Sequence, residues 1–166
     1  RRFRIGLLGL GSVGRAVFQL LQRNRAHIRD RSGADFEIAW AGVKRPGLNR
    51  PGIPAALRRG HPLDLIRKHA PDVLVEVMGG LQAGSLIREA LKAGADVVTA
   101  NKLVLASQGP ELFAAARDAS REIRFEASVA GGLPVIQALR ESLAGNHICA
   151  LYGILNGTTN YILSQM

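Results

Sequence analysis

The chain has 166 residues, 47% hydrophobic and 21% charged, with a formal net charge of +9 and one cysteine. That is enough for a compact domain with a real core. The sequence offers no long uncharged apolar run for a membrane helix, no signal-peptide pattern at its start and no possibility of an internal disulfide, which fits a cytoplasmic, reducing setting. The charge is uneven: residues 1–70 hold 15 Lys and Arg against 4 Asp and Glu. Such a basic half suits an anionic ligand, but the arginines are scattered and not interleaved with aromatics, which argues against nucleic acid.

In chain order, Phe3–Leu8 reads as a buried strand. The segment Gly9-Leu10-Gly11-Ser12-Val13-Gly14 follows, then a helix with Val13, Val17, Leu20 and Leu21 as its apolar stripe. Asn24 to Asp35 reads as a polar loop, Phe36–Val43 as a second strand, and Lys44 to Pro54 as a loop. A helix over His61–Ala70 is closed by Pro71, and Asp72–Val77 is a third strand ended by Met78-Gly79-Gly80. Ala83–Ala93 is a helix stopped by Gly94, Ala95–Ala100 a fourth strand and Glu111–Ser120 a helix. Glu122–Ala127 is a fifth strand, Pro134–Leu143 a helix, His147–Leu155 a last strand, and a helix begins at Thr158. Cys149 sits in an apolar run and is expected in the core, and the four histidines show no metal-ligand spacing. Alternating strands and helices predict an α/β fold, a Rossmann-type doubly wound, mainly parallel sheet. The last helix stops inside an apolar pattern, so the chain reads as incomplete there, with 1–132 a dinucleotide-binding domain and 133–166 the start of a second domain.

The glycine segment lies between a strand and a helix, the context that gives it chemical meaning. Gly9 allows a tight turn, Gly11 lets a pyrophosphate approach the backbone, and Gly14 lets helix and strand pack closely. The helix N-terminus then offers N–H groups and a positive dipole end. At the end of the second strand, Lys44-Arg45 stands where a carboxylate usually accepts from an NAD ribose. Two cations there suit the 2′-phosphate of NADP; the alternative is a solvated basic turn.

Later segments carry a resemblance. Glu76-Val77-Met78-Gly79-Gly80, Thr99-Ala100-Asn101-Lys102, the run from Phe125 to Pro134 (FEASVAGGLP) and the run from Gly153 to Leu163 (GILNGTTNYIL) are similar, in order, to segments of homoserine dehydrogenases. The resemblance implies an NAD(P)-dependent oxidoreductase working between L-aspartate 4-semialdehyde and L-homoserine, in threonine, methionine and isoleucine biosynthesis. It implies a cofactor site at Gly9 to Gly14, Lys44, Arg45, Met78, Gly79, Thr99 and Lys102. It places substrate at Lys102, Asn156, Gly157 and Thr158, and a cation such as sodium at Glu126, Val129, Gly131 and Leu133. The family's second domain carries an Asp, a Lys and a Glu that handle substrate and proton; none can be placed here, so cofactor binding without useful turnover is expected. The family also implies a homodimer for the longer enzyme.

Read from the residues alone, Lys102 lies just past a strand's carboxyl end, where ligands bind in open α/β sheets. It could orient a nicotinamide or stabilise charge on a carbonyl oxygen, or be a solvated lysine. Glu126 with the turn carbonyls of Val129 and Gly131 offers oxygens to a hard cation, or Glu126 caps the glycine turn. Asn156-Gly157-Thr158-Thr159-Asn160 has turn and N-cap chemistry whatever else it does. A stand-alone nucleotide-binding module without catalysis is the competing reading.

Overall fold

The computed structural model describes residues 1–43, 45–153 and 157–166. They form two compact units, Arg1–Arg124 and Phe125–Met166.

The first unit is the expected doubly wound sheet. Strand β1 (Arg2–Leu8) leads into helices α1 (Ser12–Arg23) and α2 (Arg25–Ser32), then β2 (Asp35–Gly42) and the short β3 (Arg58–Arg59). Helix α3 (Pro62–Lys68), β4 (Val73–Glu76), α4 (Ala83–Lys92), β5 (Asp96–Thr99), α5 (Lys102–Asp118) and β6 (Ile123–Arg124) follow. The spatial order is β3-β2-β1-β4-β5-β6, and every neighbouring pair is parallel. The chain therefore reverses its direction of winding between β1 and β4, and the crevice at such a switch point is where doubly wound sheets bind ligands.

Period-two alternation in the strands divides the core between the two sheet faces. Ile5 and Leu7 of β1 join Leu10, Phe18 and Ile38 on one face, while Leu8 joins Trp40, Ile66, Ile87 and Leu112 on the other. The β1–β2 register slips by one residue after Ile5: Ile5 faces Ile38, but Gly6 faces Trp40. The extra residue, Ala39, breaks the alternation, so Ala39 and Trp40 both pack on the second face. Trp40 is buried over Gly6, where a Cβ would overlap its ring, and its indole N–H donates to the His69 carbonyl at 2.9 Å.

Four element assignments differ from the sequence reading. Residues Arg25–Ser32 are a helix, not a loop; it buries no residue, so it shows no apolar period, and Gly33 closes it at φ 68°. Helix α5 begins at Lys102, nine residues before the expected Glu111, because Asn101 caps it and Pro110 is accommodated inside. The fifth strand is reduced to Ile123–Arg124. Of the expected strand His147–Leu155, residues 147–153 are neither strand nor helix, Ile148 and Leu151 are exposed, and no strand among the described residues pairs with them; Ile154 and Leu155 lie outside the described residues. Cys149 is accordingly exposed rather than in the core. In α1 the buried positions are Gly14 and Phe18, while Val13 and Leu20 face outward. Glycine does not register as apolar, which rotated the expected stripe.

In the second unit a short 3₁₀ turn over Glu126–Ser128 precedes helix α6 (Val135–Gln137), which widens into a π-turn through Ser142. Helix α7 spans Gly157–Gln165. Among the described residues no helix is long and apolar enough to cross a membrane.

Candidate functional site

The glycine segment forms the turn from β1 into α1. Gly9 has φ 99°, which favours glycine, and its N–H donates to Gly42 O at 3.1 Å. Gly14 is buried at the helix–strand crossing: a Cβ there would strike the Gly9 carbonyl oxygen and lie 3.3 Å from Val77 Cγ2. Gly11 is different. It is the N-cap of α1 with φ −72°, a conformation open to any residue, and a Cβ on it would meet nothing within 4 Å. Neither backbone nor packing requires glycine there. No side chain caps α1, so its first-turn N–H groups face the same space.

That space is a cleft of about 470 Å³ bordered by Gly9, Leu10 and Gly11, by Arg15, by Val43 and Arg50 past β2, and by Met78 and Gln82 past β4. It adjoins a larger, mostly apolar cavity of about 730 Å³ that shares Val43, Pro62, Met78 and Gln82 and continues along Leu63 and Leu86. Leu10 is buried, while Ser12 and Val13 are exposed on the first turn of α1. Arg45 is exposed, and its carbonyl accepts from Arg50 Nη1 at 2.9 Å. Lys44 lies outside the described residues. Arg15 and Arg50 are cleft residues that motif reading missed; the only signal was the basic composition of the first half, since neither occupies a motif position.

Across the switch point the ends of β4 and β5 are tied together. Glu76 and Thr99 are register partners, both fully buried. The Thr99 hydroxyl donates to Glu76 Oε2 at 2.6 Å, while Glu76 Oε1 accepts the N–H groups of Met78 at 2.8 Å and Gly79 at 3.3 Å. Thr99 Oγ1 in turn accepts the Asn101 N–H at 3.0 Å. Asn101 donates through Nδ2 to Gly80 O at 2.9 Å and accepts the Val104 N–H, capping α5. The side chain of Thr99 thus faces the interior, so a ligand would meet this residue through its backbone.

Lys102 is the first residue of α5 and is exposed. A cation at a helix N-terminus opposes the macrodipole by roughly 0.3–1 kcal/mol, and the first turn holds no acidic residue to offset it. Helix stability does not explain a lysine in that place.

In the second unit, Glu126 is half-buried in the 3₁₀ turn, not on a strand. Its carboxylate accepts the N–H groups of Ile136 at 3.0 Å and Gln137 at 2.9 Å, so it does cap the following helix. Val129 and Gly131 flank Ala130 in the same turn, where Ala130 and Gly131 have φ 54° and 63°, and Leu133 is exposed beyond it. A carboxylate oxygen has more than one lone pair, and the remaining donors are hard carbonyl oxygens, so the set fits a hard monovalent cation in chemistry. Asn156 lies outside the described residues; Gly157 and Thr158 begin α7, with their side chains outside them too. Among the described residues, no three His, Cys, Asp or Glu side chains gather as a metal cluster. His61 and His69 flank α3, and His27 and His147 are exposed.

A parallel sheet in this order, with a glycine turn, an open helix N-terminus and a cleft at the switch point, defines a dinucleotide-binding domain of the Rossmann type. Residues 9–126 match the family model described as "Homoserine dehydrogenase, NAD binding domain", and residues 134–166 match the model "Homoserine dehydrogenase". The chain is 44% identical to the homoserine dehydrogenase of Helicobacter pylori, covering 100% of this chain and 39% of that protein. It is 42% identical to that of Pseudomonas aeruginosa over 98% of this chain and 38% of the relative. The crystal structure of a homoserine dehydrogenase from Thiobacillus denitrificans superposes with a TM-score of 0.87 at 42% identity, over 100% of this chain and 39% of that one. The chain belongs to the homoserine dehydrogenase family and spans about two fifths of the length of these relatives.

Proposed function

We propose that this chain binds NADPH and supplies the cofactor half of an enzyme that interconverts L-aspartate 4-semialdehyde and L-homoserine. The observation that carries the cofactor reading is Gly11, a glycine with no internal reason to be one, at the mouth of an uncapped helix. In this reading the pyrophosphate lies on Gly9 to Gly14, against the α1 N-terminus. The adenosine half extends past β2 toward the apolar cavity, and the cleft cations Arg15 and Arg50, with Lys44-Arg45 in the sequence after β2, favour a 2′-phosphate. The nicotinamide half lies over the ends of β4 and β5, along Met78, Gly79, Thr99 and Lys102.

When bound, the cofactor supplies the hydride for reducing the aldehyde carbon to the alcohol. Lys102 holds the substrate's carbonyl oxygen and stabilises the negative charge that grows on it. The family resemblance assigns Asn156, Gly157 and Thr158 to substrate binding as well. Glu126, Val129, Gly131 and Leu133 would hold a monovalent cation such as sodium. Residues 133–166 begin the substrate domain, and the working enzyme is a cytoplasmic homodimer.

Calorimetric titration of this chain with NADPH tests the reading. Binding in the wild type and none in a folded Gly11→Val variant is the expected pair of results. Equal binding by both would place the phosphates elsewhere.

A further inference from the structure

Glu76 is the most deeply buried carboxyl group among the described residues, and it has no place in the proposed chemistry. Its partners explain its position. One oxygen holds the N–H groups of the turn after β4, in which Gly79 and Gly80 take left-handed φ values of 74° and 82°. The other takes the Thr99 hydroxyl, and Thr99 and Asn101 carry the connection to the first residues of α5 and back to Gly80. The loop of bonds is closed: the 78–80 turn and the 99–102 turn are each fixed to the other, not only to the sheet. An apolar pair at these register positions would remove the carboxylate's hold on the 78–80 turn and its link to Thr99, and would leave the two turns joined through Asn101 and Gly80. In a doubly wound sheet each half receives one mononucleotide of the cofactor, and with the phosphates at β1 and the adenosine past β2, these two turns form the floor of the nicotinamide half.

We propose that Glu76 is a positioning residue for the nicotinamide: through Thr99 and Asn101 it sets the spacing of the two turns that receive the ring and the direction from which Lys102 leaves α5. This rests on the dinucleotide reading above.

The test compares two ligands on this chain by titration calorimetry: NADPH, and 2′-phospho-ADP-ribose, which lacks the nicotinamide. Wild type should bind NADPH the more tightly. Glu76→Gln keeps the size of the side chain, but with its amide oxygen on the Met78 and Gly79 N–H groups it turns an NH2 donor toward the Thr99 hydroxyl in place of a charged acceptor. It should weaken NADPH by about tenfold, the scale of one charge-assisted hydrogen bond, and leave the nicotinamide-free ligand unchanged. Thr99→Val should do the same while Thr99→Ser recovers most of the loss, which keeps the question answerable should Glu76→Gln fail to fold. Equal losses for both ligands would assign Glu76 to the fold alone and overturn the proposal, as would unchanged NADPH affinity in the folded variants or equal behaviour of Thr99→Val and Thr99→Ser. If the wild type binds neither ligand, the dinucleotide reading itself has failed.

Discussion

Gly14 stands so close to Gly9 that a β-carbon on it would fall on the Gly9 carbonyl oxygen, whereas a β-carbon on Gly11, three residues earlier, would stand in open space. The two glycines of one motif therefore serve different ends, and substitution should separate them. Gly14→Ala must push α1 away from β1, and overpacking of this kind costs about 1–3 kcal/mol. Its melting temperature should fall clearly in calorimetry. Gly11→Ala should melt with wild type yet bind NADPH more weakly. Similar melting temperatures for the two variants would remove this division of roles.

Cofactor preference should follow the cations past β2. NADPH is expected to bind more tightly than NADH, and replacing Lys44 and Arg45 together by Ala should remove the preference. The loss should be about 1.5–3 kcal/mol, from hydrogen bonds to a charged group. Arg50→Ala, at a cleft position, should reduce the preference in part. Parallel titrations with both cofactors decide the matter; tighter NADH in the wild type would rule out a 2′-phosphate site here.

Acid should act on the start of β2. Arg25 donates to both oxygens of Asp35, at 2.7 and 2.5 Å, and this hydrogen bonding holds the Asp35 carboxyl below its usual range. A carboxyl depressed in the folded state stabilises the fold above its unfolded value of about 3.9, and that contribution is lost as pH falls through the folded value. Asp35→Asn should thus melt below wild type at about pH 7, and the difference should shrink as pH falls through the folded value of Asp35. A gap that stays constant across this range would show that the pair contributes nothing through ionisation.

Gly6 should tolerate no side chain. Gly6→Ala would overlap the Trp40 ring, which is held by its bond to His69 and cannot swing aside without breaking it. A loss of about 1–3 kcal/mol or more is expected in urea unfolding. A neutral result would mean that the β2 bulge can relax.

Much of this was legible in the sequence, because the informative features were local. Strand, glycine turn and helix follow one another at the start of the chain, and Gly94 punctuates the helix end that it follows. The misses share a physical cause. Helix α2 has only Ala26 and Ile28 as apolar residues and buries neither, so it has no period to read; α5 contains Pro110, which looks like a stop. The apolar neighbours of Glu126 read as a strand, whereas the residue turns to cap α6. The link between Glu76 and Thr99 spans 23 residues, and both belong to recognisable segments, yet only the strand register shows that they face each other.

The bulge that seats Trp40 over Gly6 has an optical consequence. Trp40 is the chain's one tryptophan, and it sits in the core of Arg1–Arg124. Excited at the red edge, where tyrosine does not absorb, the chain emits from that place alone. Its emission maximum will move to longer wavelength when the sheet opens to water, and it will be silent about unfolding confined to Phe125–Met166. Paired with circular dichroism, which sees the helices of both units, a single untreated sample can report whether the two units melt together or one after the other.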